Sequence, residues 1–176
     1  MPTMSNQPWH VRYLEGETWR EALEILREAS AWSSRFGTAI WRPDELTEAR
    51  QRESAEACEL VGGFAGDAMT ACMRLERSDP VHWPQDTPGE ALYLHKLAIR
   101  RAFAGRGWPR RMVDWAVAEC AKRGARALRL DTAPDTKLPV LYAEMGFRLV
   151  ERVPRWFVGR RLVRMELMLR PTQGNK

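Results

Sequence analysis

Residues 92–131, LYLHKLAIRRAFAGRGWPRRMVDWAVAECAKRGARALRLD, decide the fold. Leu92 to Ile99 is the strongest strand of the chain, apolar except at His95 and Lys96. From Trp108 to Arg123 the residues Met112, Val113, Ala116, Val117 and Cys120 recur on one face of a helix, and Gly124 ends it. Ala127 to Leu130 returns to strand character. Strand, glycine turn, helix and strand in this order form a βαβ unit, which requires locally parallel pairing.

Working outward, Glu59–Ala65 and residues 68–77 predict a hairpin about Gly66-Asp67, and residues 78–90 a loop rich in turn formers. Further upstream, His10 to Leu14 suggests a first short strand. Trp19, Leu23, Leu26, Ala29 and Trp32 predict a helix over 17–34, with Thr18 as N-cap and Gly37 as stop. Pro43-Asp44-Glu45 opens a more polar helix to about Ala57. Downstream, Thr136–Met145 reads as a short helix closed by Gly146, and Phe147–Val153 and Leu162–Leu169 as final strands joined near Gly159. The class is α/β, with a mixed, mostly antiparallel sheet of six to seven strands about a central parallel pair. One domain over 1–176 is expected, with its core at about 59–170 and flexible ends at 1–8 and 171–176.

The chain of 176 residues carries a net charge of +5 and a pI of about 9.5. Such a balance favours an anionic partner. The charge is spread along the chain without a long Lys run, which favours a polyphosphate cofactor over nucleic acid. Mean hydropathy of −0.48 argues against a membrane span. Met1–His10 has neither the basic nor the apolar region of a secretory leader, so a cytoplasmic protein is expected. Cys58, Cys72 and Cys120 fit no metal or disulfide spacing and read as buried thiols.

The loop Ala104-Gly105-Arg106-Gly107-Trp108-Pro109 joins the central strand to its helix. Its glycines let backbone approach a ligand, and the N–H groups of the helix start point at it. Arg106, Arg110 and Arg111 place positive charge at the positive end of a helix dipole, an arrangement that an anion would relieve. A tight turn with solvated arginines is the plainer alternative.

Residues 92–147 resemble the core of the GNAT superfamily of N-acetyltransferases. The family's phosphate motif, Gln/Arg-x-x-Gly-x-Gly/Ala, falls on Ala104 to Pro109. Leu97-Ala98-Ile99 resembles its Leu-Ala-Val strand end, and Leu141-Tyr142-Ala143-Glu144-Met145-Gly146-Phe147 its Leu-Tyr-x-x-x-Gly-Phe signature. Two departures stand out: Ala104 replaces Gln or Arg, and Pro109, at the last Gly/Ala position, has no N–H to donate. The resemblance implies helices on both faces of a GNAT-like sheet. It also implies acetyl-CoA as co-substrate, no metal, and transfer of acetyl to a primary amine within a ternary complex. Leu97, Ala98, Ile99, Ala104, Gly105, Arg106, Gly107, Trp108 and Arg110 would hold the coenzyme. Tyr142 would protonate the departing thiolate, and His95 would deprotonate the amine through water. A packed tyrosine and a hydrogen-bonded sheet histidine are the plainer readings of these two.

Trp32, Phe36, Trp41, Trp83, Trp156 and Phe157 can wall an acceptor site or pack a core. Tyr93 shares a strand face with His95 and can orient substrate. Glu90, Asp86 and Asp79 can attract an amine or be ordinary loop acids. A small-molecule amine is the expected acceptor, with no nucleic acid or membrane partner and with a homodimer left open. Acetylation of a protein N-terminus or lysine, and a non-catalytic acyl-CoA-binding module, are the alternatives.

Overall fold

In a computed structural model the described residues are 8–37, 40–57, 59–151, 154–157 and 159–169. The termini expected to be flexible and Cys58 lie wholly or largely outside them. Two compact units emerge, one from Met1–Arg74 and Lys96–Met112, the other from Leu75–His95 and Val113–Lys176.

In the first unit, β1 (Trp9–Tyr13), β2 (Leu60–Ala65) and β3 (Ala68–Glu76, as far as Arg74) pair antiparallel in sequence order. Helix α1 (Trp19–Ser34) turns Trp19, Ala22, Leu23, Ile25 and Leu26 inward, into a cluster with Leu60, Phe64, Met69 and Cys72. Each large side chain so buried contributes roughly 1.5–3 kcal/mol before ordering entropy is subtracted. Thr18 is not the side-chain cap expected. It is already helical, at the end of a 3₁₀ turn over Gly16–Thr18, and its hydroxyl donates back to the Glu15 carbonyl. The second predicted helix is split into a 3₁₀ turn at Pro43–Glu45 and α2 (Glu48–Glu56), whose cap is Thr47, accepting from the Arg50 amide.

One glycine of β2 sets the position of the loop 104–107. A Cβ on Gly63 would lie 2.8 Å from Met112 Sδ and 2.9 Å from the Trp108 ring. Only a bare Cα lets the first turns of helix α3 (Trp108–Arg123) sit this close to the sheet.

The second unit contains β4 (Ala91–Ile99) up to His95, β5 (Ala127–Thr132), helix α4 (Leu138–Glu144), β6 (Arg148–Leu149), β7 (Arg155–Phe157) and β8 (Arg160–Met168). β4 and β5 run parallel, but only from Ala91↔Ala127 to Tyr93↔Arg129. β8 pairs antiparallel with β5, β6 and β7. The mixed, mostly antiparallel α/β class and the parallel β4–α3–β5 crossover are as expected. Among the described residues there are eight strands rather than six or seven, because Arg155–Phe157 pairs with β8 while β6 shrinks to two residues. No described helix is long and apolar enough to cross a membrane.

Candidate active site

In the first unit, Arg101–Phe103 forms a 3₁₀ turn, and residues 104–107 lie exposed ahead of α3. Gly105 and Gly107 adopt φ of 74° and 76°, a left-handed conformation that side chains disfavour. Nothing lies within 4 Å of a Cβ built on either, so conformation, not crowding, demands glycine there. The Gly107 carbonyl accepts from the Arg111 amide, making Gly107 the helix N-cap. The amides of Gly105, Arg106, Gly107 and Trp108 have no hydrogen-bond partner among the described residues. An exposed run of free donors on a helix N-terminus fits a diphosphate. Pro109 sits inside the first turn, where its missing N–H removes one donor but breaks no bond. Arg106 lies over the Phe103 ring, and Arg111 over Trp9 and Trp108. Trp32, a predicted substrate residue, lies under the Arg101 guanidinium, 3.9 Å away. Of the strand expected to carry the coenzyme arm, Ala98 is buried while Leu97 and Ile99 are partly open.

The strand ahead of this loop is not regular. Lys96 has φ of 52°, the one non-glycine residue so placed among those described. Such a conformation persists only where the surroundings enforce it. Lys96 Nζ lies 3.6 Å from Glu45 and over the Trp41 ring.

In the second unit, His95 stands among carboxylates. Its Nε2 is 3.3 Å from Asp79 Oδ2 and 4.0 Å from Glu76 Oε2, and its Nδ1 is 3.5 Å from Asp131 Oδ1. His82 Nδ1 bonds Asp79 at 3.0 Å, and the His82 backbone N–H donates to the same carboxylate. Burial opposes ionisation of Asp79, but the bonds from His82 and the contact with His95 outweigh it and hold the carboxyl far below the usual range. The same contact, with Asp131 and Glu76 nearby, raises His82 against the effect of its own burial. Asp79, His95 and Asp131 each offer a ligand atom within 4.8 Å of one another, the spacing of a metal site.

Tyr142 is buried in α4, edge-on to Phe147, and its hydroxyl bonds no described residue. Burial, with the charge of Asp131, pushes its pKa well up, so it stays a proton donor. Tyr93 is differently occupied: its hydroxyl bonds Asp86, which with Glu90 and Glu166 also holds Arg129. Trp83 is buried, with the Arg129 and Arg164 guanidiniums 4.9 and 4.7 Å from its ring. Tyr93, Glu90 and Trp83 therefore belong to a packed ion-pair network rather than to an open wall. Trp156 and Phe157 do line a cleft.

Sequence reasoning singled out His95 but missed its setting. Asp131 lies 36 residues downstream at the end of β5, and His82 in the loop 78–90, with no motif linking either to His95.

The sequence profile of the acetyltransferase (GNAT) family matches residues 19–147. The uncharacterized N-acetyltransferase YesJ of Bacillus subtilis (strain 168) is 34% identical over 73 residues, 41% of this chain and 41% of that protein. The match thus spans less than half of that curated relative. A GNAT-family acetyltransferase of Listeria monocytogenes superposes with TM-score 0.71 at 18% identity, over 94% of this chain and 98% of its own. The Salmonella typhimurium protein yncA with its cofactor acetyl-CoA gives 0.71 at 15%, over 96% and 98%. The PaiA N-acetyltransferase of Thermoplasma acidophilum, in complex with coenzyme A, gives 0.70 at 14%, over 92% and 99%. At such identities the likeness to these structures is one of fold. The family profile reaches from α1 through the phosphate loop to Phe147, well over half of the sequence, and the chain belongs to the acetyltransferase (GNAT) family.

Proposed function

We propose that this protein is an N-acetyltransferase that moves acetyl from acetyl-CoA to the primary amine of a small molecule. The observation that carries the reading is the run of unpartnered amides from Gly105 to Trp108. These amides would hold the coenzyme diphosphate, with Arg106 and Arg110 beside it and the pantetheine arm along the backbone of Leu97 to Ile99. Two neighbours of like fold contain acetyl-CoA or coenzyme A, which supports the same ligand here.

His95 supplies the proton acceptor. The acceptor amine arrives as an ammonium ion, and one proton passes to the imidazole, directly or through water. The freed nitrogen forms the bond to the acetyl carbon as the carbon–sulfur bond breaks. Tyr142 protonates the departing thiolate, and the second proton lost by nitrogen restores the Tyr142 hydroxyl. One proton is released overall. The free thiols Cys72 and Cys120 accord with action in the cytoplasm. A cleft of small-molecule size, walled by Trp156 and Phe157, supports a small acceptor over a protein chain.

The test is calorimetric titration with acetyl-CoA, followed by thiol release over a panel of amines. Binding with amine-dependent release is expected; no binding at millimolar acetyl-CoA sinks the reading.

A further inference from the structure

The cleft in the second unit is lined by His82, Asp131, Arg155, Trp156, Phe157 and Arg164, among others. Two buried polar atoms on its lining residues lack hydrogen-bond partners, and they are of opposite kind. Asp131 Oδ1 is an acceptor without a donor, and Arg164 Nε a donor without an acceptor. A buried polar group without a partner is costly, so a ligand that meets both atoms gains accordingly.

The charges around the two atoms differ in the same sense. Asp131 has no Lys or Arg partner among the described residues; its neighbours are the imidazoles of His95 and His82, 3.5 and 3.8 Å away. Arg164 is held in place by a bond from Nη1 to the His82 carbonyl at 3.0 Å and by an ion pair of Nη2 with Glu151. Glu151 is shared with Arg155, 3.5 Å away, so two guanidiniums face one carboxylate and one positive charge is left over. Arg155 remains about half exposed, able to turn toward a ligand. Trp156 is 74% exposed, a large apolar surface that burial against a ligand would stabilise.

We propose that the acceptor bound here is a zwitterionic amine of the α-amino acid class with an apolar or aromatic side chain. Its ammonium sits on Asp131 beside His95, its carboxylate on Arg155 and Arg164 Nε, and its side chain against Trp156 and Phe157. The use of that ammonium as acetyl acceptor rests on the function proposed above; its binding does not.

Calorimetry on the full chain separates the two. L-Phenylalanine is compared with phenethylamine, which lacks the carboxylate, and with 3-phenylpropionate, which lacks the ammonium. L-Leucine, isoamylamine and 4-methylvalerate form a second set. In at least one set the amino acid should bind tenfold or more tighter than either half-molecule. Arg155→Gln should weaken the amino acid and the acid about tenfold while leaving the amine unchanged. Arg161→Gln, which breaks only an exposed pair with Asp135, should alter none of them. The proposal is overturned if a half-molecule matches the amino acid in both sets, or if Arg155→Gln affects all ligands alike or none. Amino acid binding without thiol release from acetyl-CoA would uphold the amino acid site and refute acetyl transfer.

Discussion

Replacing Gly107 with alanine separates the backbone demand on the loop 104–107 from its proposed grip on the coenzyme diphosphate. At φ of 76° with open space around the Cβ position, the substitution meets no steric obstacle, only the backbone penalty of a left-handed L-residue. That penalty is roughly 1–2 kcal/mol. In a chain of this size it lowers the melting temperature by about 2–8 °C. Gly124 provides the control at the other end of the same helix, with φ of 71° and open space. Its alanine variant carries the same strain far along the chain from the loop. In Gly107→Ala the strain is relieved by turning the peptide, which takes an amide away from the diphosphate. One hydrogen bond to a charged group is worth about 1.5–3 kcal/mol, or roughly 10- to 150-fold in Kd. The assay is calorimetric titration of acetyl-CoA into both variants, beside thermal melts. Similar melting losses are expected, with the affinity loss confined to Gly107→Ala. If both variants melt alike and bind acetyl-CoA as well as the parent, the amides of residues 105–108 do not hold the coenzyme.

Gly63→Ala should destabilise by about 1–3 kcal/mol through overpacking against Met112 and Trp108, read as a lower melting temperature, and should weaken acetyl-CoA by displacing the helix start. Tyr142→Phe should cut kcat by about 100-fold or more with KM for acetyl-CoA unchanged; full turnover would remove its role as proton donor. Asp79 and His82 predict a pH signature in urea melts. Asp79 is shifted down, so its stabilisation is present above the unfolded value of about 3.9 and is lost as pH falls below it. His82 is shifted up, so its stabilisation is present below about 6.5 and is lost as pH rises through its folded value. The parent should therefore lose stability relative to Asp79→Asn on both sides of that window, and parallel curves would refute the coupling.

The βαβ core was legible because its signals are local. Glycines punctuate both ends of α3, and the helix boundaries at Trp108 and Arg123 follow from Met112, Val113 and Cys120 recurring at helical spacing. β7 was not legible: Arg155-Trp156-Phe157 is too short to show alternation, and its strand state comes from pairing with β8. Thr18 looked like a cap because it precedes an apolar period, yet a 3₁₀ turn had already begun the helix before it. Within the site, His95 could be found as a polar interruption of an apolar strand. Asp79 and Asp131 could not be tied to it, since loop and strand-end acids are ordinarily solvated. Only the fold brings residues 79, 95 and 131 within a few ångströms.

The net charge of +5 points to an anionic partner, but the distribution of unmatched charge says more than the sum. Arg100 is spent on Glu21, Glu24 and Glu28, and Arg129 on Asp86, Glu90 and Glu166. The guanidiniums of Arg101, Arg106 and Arg111 have no carboxylate partner among the described residues, and all three flank the exposed glycine loop in sequence. A nucleic-acid surface would spread such cations along a face many residues long. Here three of the guanidiniums without a carboxylate partner fall within eleven residues around a helix N-terminus, a scale that suits one diphosphate. Asp79 and Asp131, which have no Lys or Arg partner among the described residues, lie in the other unit beside His95. Guanidiniums without carboxylates around residues 101–111 suit an anionic donor, and carboxylates met by imidazoles rather than by Lys or Arg suit the ammonium of an acceptor.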